Sequence, residues 1–242
     1  MGLQQKFDDS HGPVVIERYH ERAITGRFQA RLLLTRLSER LLFLAAMALP
    51  LAALAVTAMA AADLALPVFG VEGRDDLASA AFLSRGDLAV AGGLVISLFL
   101  ARRFGAQVVS QALVLAWAAA LVGAVAVVIE IAPQLEAGDF PSARYLFVLI
   151  GSWFIGQMTG LSVYDLTRGG AWWRAPFFGV MFGLGIQAAI YFPGAFAGHD
   201  VPWLWWLSMR FVAVTAVAVG FACLYAPLRR AIRPRRGLGG RY

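Results

Sequence analysis

The chain has 242 residues, 60% of them hydrophobic and 15% charged, with a mean hydropathy of +0.68. That balance excludes a soluble globule, whose surface needs far more polar side chains, and makes lipid the solvent. The net charge of +6 and basic isoelectric point would suit a nucleic-acid binder, but the arginines gather at both termini and beside apolar blocks. That distribution is the mark of membrane topology, not of nucleic-acid contact.

In chain order, residues 1–40 come first as a basic arm. VVIERYHERAITGRFQARLLLTRLSERL alternates apolar and basic positions at helical spacing. The pattern suits an amphipathic helix on an anionic inner leaflet, and equally a solvated arm that sets topology. A transmembrane helix needs roughly 20 mostly apolar residues, and six blocks qualify: Leu41–Ala62, Ala78–Ala101, Phe104–Ile131, Tyr145–Leu166, Pro176–Phe196 and Trp203–Tyr225. The predicted fold is therefore an all-α polytopic membrane protein, with the amphipathic arm over 1–40, a six-helix bundle over 41–226 and a basic tail over 227–242.

AMAAA at Ala58–Ala62 resembles a signal-peptide cleavage site, but the charged region before it is too long for a secretory leader. The second span is interrupted by SRGD at Ser84–Asp87, so its helix either runs through the charges or is broken or re-entrant. Both alternatives put those charges inside the protein.

Loop charge sets the orientation. Seventeen Lys and Arg fall on one side: in the N-terminal region, around Arg102 and Arg103, around Arg168 and Arg174, and in the tail. The opposite loops hold Arg74 and Arg144 amid acids such as Asp63, Glu72, Glu136 and Asp200. Both termini are therefore expected in the cytoplasm. Trp172 and Trp173 fall at the inner boundary, and Trp203, Trp205 and Trp206 at the outer one.

Charges inside a span are functional candidates, because hydrocarbon makes them costly. Arg85 and Arg210 each lie seven residues in from the outer start of a span, with Asp87 just below Arg85. Residues two apart do not share a helix face, so an Asp87–Arg210 pair across the second and sixth spans is preferred. The alternative has Arg210 snorkelling outward and Asp87 paired locally.

Ser152, Gly156 and Gly160 recur every fourth residue, as do Gly179 and Gly183, continued by Gln187 and Tyr191. Such stripes let helices approach closely, and packing alone would explain them. Gln157 and Gln187 fall near mid-membrane, where their bifunctional amides could meet a substrate. Gln107 and Gln111 are explained by an interhelical hydrogen bond, and Trp117 and Trp153 by core filling. Cys223, the single cysteine, reads as a packing residue. His11, His20 and His199 lie outside the spans, and no HExxH, Walker or nucleophile-elbow motif occurs. Catalysis, metal and cofactor are not expected.

VYDLTRGGAWWRAP, Val163–Pro176, followed by MFGLGIQAAIYFPGAF, resembles the VUT family of vitamin-uptake-like transporters, which includes the queuosine-precursor transporters. FLSRGDL could correspond to that family's apolar-Asp segment, which would carry over Asp87. Asp165, Trp172, Trp173, Arg174 and Pro176 carry over as loop and interface elements. The chain departs from the family at Gly183–Gln187 and at Ser208–Arg210, where intramembrane acids are usual.

The resemblance implies a bacterial inner-membrane importer of a small polar heterocycle, with Asp87, Gln157, Gln187 and Arg210 as its site. The lost acids and added arm favour another reading, a transport-inactive relative docked to a larger membrane complex through residues 1–40. Membrane lipids are partners on either reading.

Overall fold

The computed structural model describes residues 11–68, 74–75, 78–131 and 142–234. Among these the chain is all-helical: α1 His11–Ala60, α2 Arg85–Phe104, α3 Ala106–Ile131, α4 Ala143–Thr167, α5 Arg174–Phe196 and α6 Trp203–Ala231. Five of the six are long and apolar enough to cross a membrane, which makes this a multi-pass membrane protein. The exception is α2, whose 20 residues suffice in length. It carries charge at both ends: Arg85 and Asp87 in its first turn, Arg102 and Arg103 in its last.

The described residues fall into two compact units, divided between Leu44 and Ala45. In the first, α1 is already helical from His11, and the helix continues unbroken through residue 40. The second unit holds the bundle. Of the two alternatives for the second span, it adopts the broken one. Ser79–Ala81 form a single 3-10 turn, Phe82 to Ser84 lead on without helix, and α2 starts only at Arg85.

The cause lies in Ser84 and Asp87. The Ser84 hydroxyl accepts from the Asp87 N–H at 3.1 Å, and the Ser84 N–H donates back to Asp87 Oδ2 at 3.1 Å, a reciprocal capping box. Two further amides of this first turn find acceptors on the preceding loop: Arg85 N–H on the Leu64 carbonyl at 2.8 Å, and Gly86 N–H on that of Ala61 at 2.9 Å. Arg85 is consequently exposed at a helix start, not buried in a span.

At its other end α2 runs to Phe104, which the sequence reading assigned to the third span. A single residue, Gly105, joins it to α3 at φ 92°, a left-handed conformation that favours glycine.

Helices α4 and α5 pack at backbone contact through their glycines. A Cβ on Gly160 would lie 2.6 Å from the Gly179 carbonyl oxygen, and one on Gly156 would lie 2.7 Å from that of Gly183. Leu94 and Leu98 of α2 fill the groove beside this seam, joined by Leu161, Val180, Val214 and Phe221 in the main core. α5 is the most enclosed of the five spanning helices and α6 the least. Cys223, read as a packing residue, is exposed on α6. Much of that helix faces outward with an apolar surface, and lipid-facing and core-facing composition are alike in a membrane protein.

Candidate functional site

The capping box that starts α2 also aims the Asp87 carboxylate. Arg210, seven residues into α6, donates from Nη1 to Asp87 Oδ2 at 2.8 Å, while its Nη2 pairs with Oδ1. This is a two-point guanidinium–carboxylate contact, the strongest geometry available to such a pair. Arg210 Nη1 also reaches the Phe82 carbonyl at 3.4 Å, an acceptor that would be absent had α2 begun earlier. Gln187 of α5 completes the group, its Nε2 donating to Asp87 Oδ1 at 3.1 Å. One carboxylate thus ties α2, α5 and α6 together, and Arg210 is buried rather than snorkelling.

Charge balance makes the arrangement tenable in hydrocarbon. The pair is neutral overall, and the positive end of the α2 dipole adds to the stabilisation of Asp87. Phe82, Phe192 and Trp206 form a buried aromatic cluster with Ala188, one residue from Gln187. Trp206 meets Phe196 edge-on at 5.3 Å. Tyr191, one turn beyond Gln187 on the same stripe, donates to the Tyr145 hydroxyl at 3.4 Å.

Gln157 does not join this group. Its Oε1 accepts from the Trp117 indole N–H at 2.8 Å and its Nε2 donates to the Val90 carbonyl at 3.3 Å, which ties α4 to α3 and α2. Trp117 is therefore a hydrogen-bonding partner as well as core, a role its sequence position did not signal. Trp153 packs beside it with ring centroids 6.5 Å apart.

Among the described residues, two buried side-chain polar atoms have no hydrogen-bond partner: Gln187 Oε1 and Trp153 Nε1. The first follows from the site's chemistry. An ionised carboxylate only accepts, so the Gln187 amide must turn its nitrogen to Asp87 and its oxygen away. An unsatisfied buried acceptor or donor costs about 1–3 kcal/mol, so each calls for a cause.

The opposite end of the bundle holds a second polar group that the loop-charge count treated as topology alone. Arg102 donates to the Ile232 and Arg229 carbonyls at 2.8 and 2.9 Å and to the Tyr225 hydroxyl at 3.0 Å. Tyr225 in turn meets the Tyr164 hydroxyl at 3.0 Å. Of the residues carried over by resemblance, Asp165 pairs with Arg168 at 3.4 Å, Trp172, Trp173 and Arg174 are exposed, and Pro176 is buried. Gln107 is exposed and Gln111 half-buried. No group of His, Cys, Asp and Glu among the described residues could hold a metal ion. No family model matches the chain, and neither a curated protein nor a solved structure is similar to it.

Proposed function

We propose that the six-helix unit is a VUT-like importer of a small, flat, polar heterocycle of the queuosine-precursor or vitamin-like class, set in the bacterial inner membrane with both termini cytoplasmic. The observation that carries this reading is the unpartnered Gln187 Oε1 beside the Asp87–Arg210 pair. A ring N–H or exocyclic amine would satisfy that oxygen, and the unpartnered Trp153 N–H offers a donor on the helix packed against α5. The glycine seam between α4 and α5 supplies the smooth surface along which helices can rock in alternating access. Gln157, engaged with Trp117 and Val90, holds α4 in place rather than meeting the substrate.

The test is uptake of a labelled queuosine precursor into proteoliposomes containing the full chain. Uptake should exceed that of empty liposomes, and Gln187→Leu should lower it by about tenfold, the scale of one lost hydrogen bond to a buried partner. Equal flux in protein-containing and empty vesicles, with the protein folded, would end the transport reading.

A second reading, an accessory subunit of a membrane complex, is favoured by a specific feature. α3 and α4 enclose an open apolar groove of about 510 Å³ lined by Val114, Leu121, Phe147 and Phe154 over Trp117. On this reading a partner chain copurifies in mild detergent, and removal of residues 1–40 releases it.

A further inference from the structure

The arginines at the far end of the bundle converge. Three segments meet there, residues 98–106, 162–178 and 222–234, and together they hold seven arginines against one acid, Asp165. The convergence is built by hydrogen bonds. Arg102 clamps the last turn of α6, and Arg103 donates to the Arg233 carbonyl at 2.8 Å. Arg168 reaches the Ala101 carbonyl at 3.4 Å, which brings the end of α4 to the end of α2. These contacts consume carbonyl oxygens, and the one carboxylate of the three segments, Asp165, pairs with Arg168, which leaves a net positive rim. Arg103, Arg174, Arg230 and Arg233 are exposed.

Two adjacent tryptophans complete the rim. The Arg229 guanidinium lies 5.0 Å from the Trp172 ring centroid and that of Arg174 lies 5.9 Å from the Trp173 centroid, so each cation rests against an aromatic face. Below Trp173 an aromatic strip descends along α5 into the span. Trp173 and Phe178 have centroids 6.1 Å apart, Phe178 and Phe182 6.2 Å, and Phe182 is exposed.

We propose that this rim binds the phosphate of an anionic phospholipid headgroup, with an acyl chain lying along the Trp173–Phe178–Phe182 strip. Guanidinium groups suit phosphate because their paired N–H donors match its oxygens. A soluble anion or nucleic acid would use the arginines and ignore the strip. A phospholipid uses both, and the exposed tryptophans place the rim at headgroup depth. The site does not depend on the transport reading.

Binding is read from the thermal unfolding midpoint of the full chain in neutral detergent, titrated separately with phosphatidylglycerol, phosphatidylcholine and glycerol phosphate. The expected result is a saturable rise with phosphatidylglycerol and none with the other two. The Arg103→Gln/Arg230→Gln/Arg233→Gln variant should bind phosphatidylglycerol on the order of a hundredfold more weakly, at roughly fivefold per arginine near the lipid surface. Phe182→Ala should weaken it further without touching any charge, and Arg85→Gln, at the opposite end of α2, should bind as the parent does. An equal rise with phosphatidylcholine would overturn the proposal. So would an equal rise with glycerol phosphate, which would mark a free-anion site. If the triple variant does not fold, Phe182→Ala and the comparison of the three additives decide.

Discussion

Asp87 starts a helix and neutralises a cation at the same time. Its Oδ2 takes the Ser84 N–H, the Ser84 hydroxyl at 3.0 Å and Arg210, while Oδ1 takes Gln187 and Arg210. Removing it strands Arg210 in the interior, and an uncompensated buried charge typically costs about 3–5 kcal/mol. Asp87→Ala should therefore lower the midpoint of denaturant unfolding sharply. The Asp87→Leu/Arg210→Met double variant, which removes both charges, should recover most of the loss. A double variant as unstable as the single one would mean that the pair is not the main contribution of Asp87. The pair was legible from depth and helix face together, because Arg210 lies as far from the start of its apolar block as Arg85 does, with Asp87 just below, and residues two apart such as Arg85 and Asp87 do not share a face. The fate of Arg85 was not read, although its cause was in view. Ser84-x-x-Asp87 is a helix-start pattern, and taking these four residues only as a charged interruption of the span left that pattern unused. Gln157 was grouped with Gln187 because both lie near mid-span, but depth does not give the face of a helix. Gly156 faces Gln187 across the α4–α5 seam, so Gln157, the next residue, is turned about 100° away and meets Trp117 while Gln187 meets Asp87.

Among the elements, the α4–α5 seam makes the sharpest demand on sequence. Gly160 sits where any Cβ would press on a backbone carbonyl, and carbonyls of a packed helix cannot swing aside as a flexible side chain can. Gly160→Val should force the two helices apart and cost about 1–3 kcal/mol, the usual range for overpacking, with loss of the folded peak in size-exclusion chromatography in detergent. Gly151, on the same α4, has nothing within 4 Å of the position a Cβ would take. Gly151→Ala should leave the profile and unfolding midpoint unchanged or slightly raised, since alanine is the better helix former. If both variants behaved alike, close approach would not be what these glycines provide. The four-residue repeat made this seam readable, because small residues at that spacing have one obvious mechanical use in a membrane. The start of α2 was less readable. Its first amides are satisfied by Leu64 and Ala61, carbonyls about 20 residues away in a loop whose path no local pattern specifies.

For the whole molecule, the six apolar blocks match the six helices, and length and hydropathy mark five of them as able to span, α2 falling short because of the charges at its ends. The direction of insertion rests on charge. The arginine-rich ends of α2, α4 and α6 lie together, and Asp63, Asp75 and Asp200 belong to the loops that lead into the opposite ends of α2 and α6. Lys and Arg resist translocation far more than acids do, so the arginine end should stay in the cytoplasm. This is tested with single cysteines in a Cys223→Ala background, one at Asp200→Cys and one at Arg233→Cys, using a membrane-impermeant maleimide on intact cells. The cysteine at 200 should react at once, and the one at 233 only after permeabilisation. The reverse pattern would turn the molecule over, moving the Asp87–Arg210 pair from the outer to the inner third of the membrane and the arginine rim to the opposite leaflet. The proposed direction of import would then have to be reconsidered, but the chemistry at the rim would not. Its seven arginines and aromatic strip would still meet a phosphate and an acyl chain, now in the outer leaflet. Topology and lipid binding are thus separable: labelling of position 233 in intact cells would overturn the first, while a phosphatidylglycerol-specific rise in the unfolding midpoint of the parent chain, with Arg233 in place, would leave the second standing.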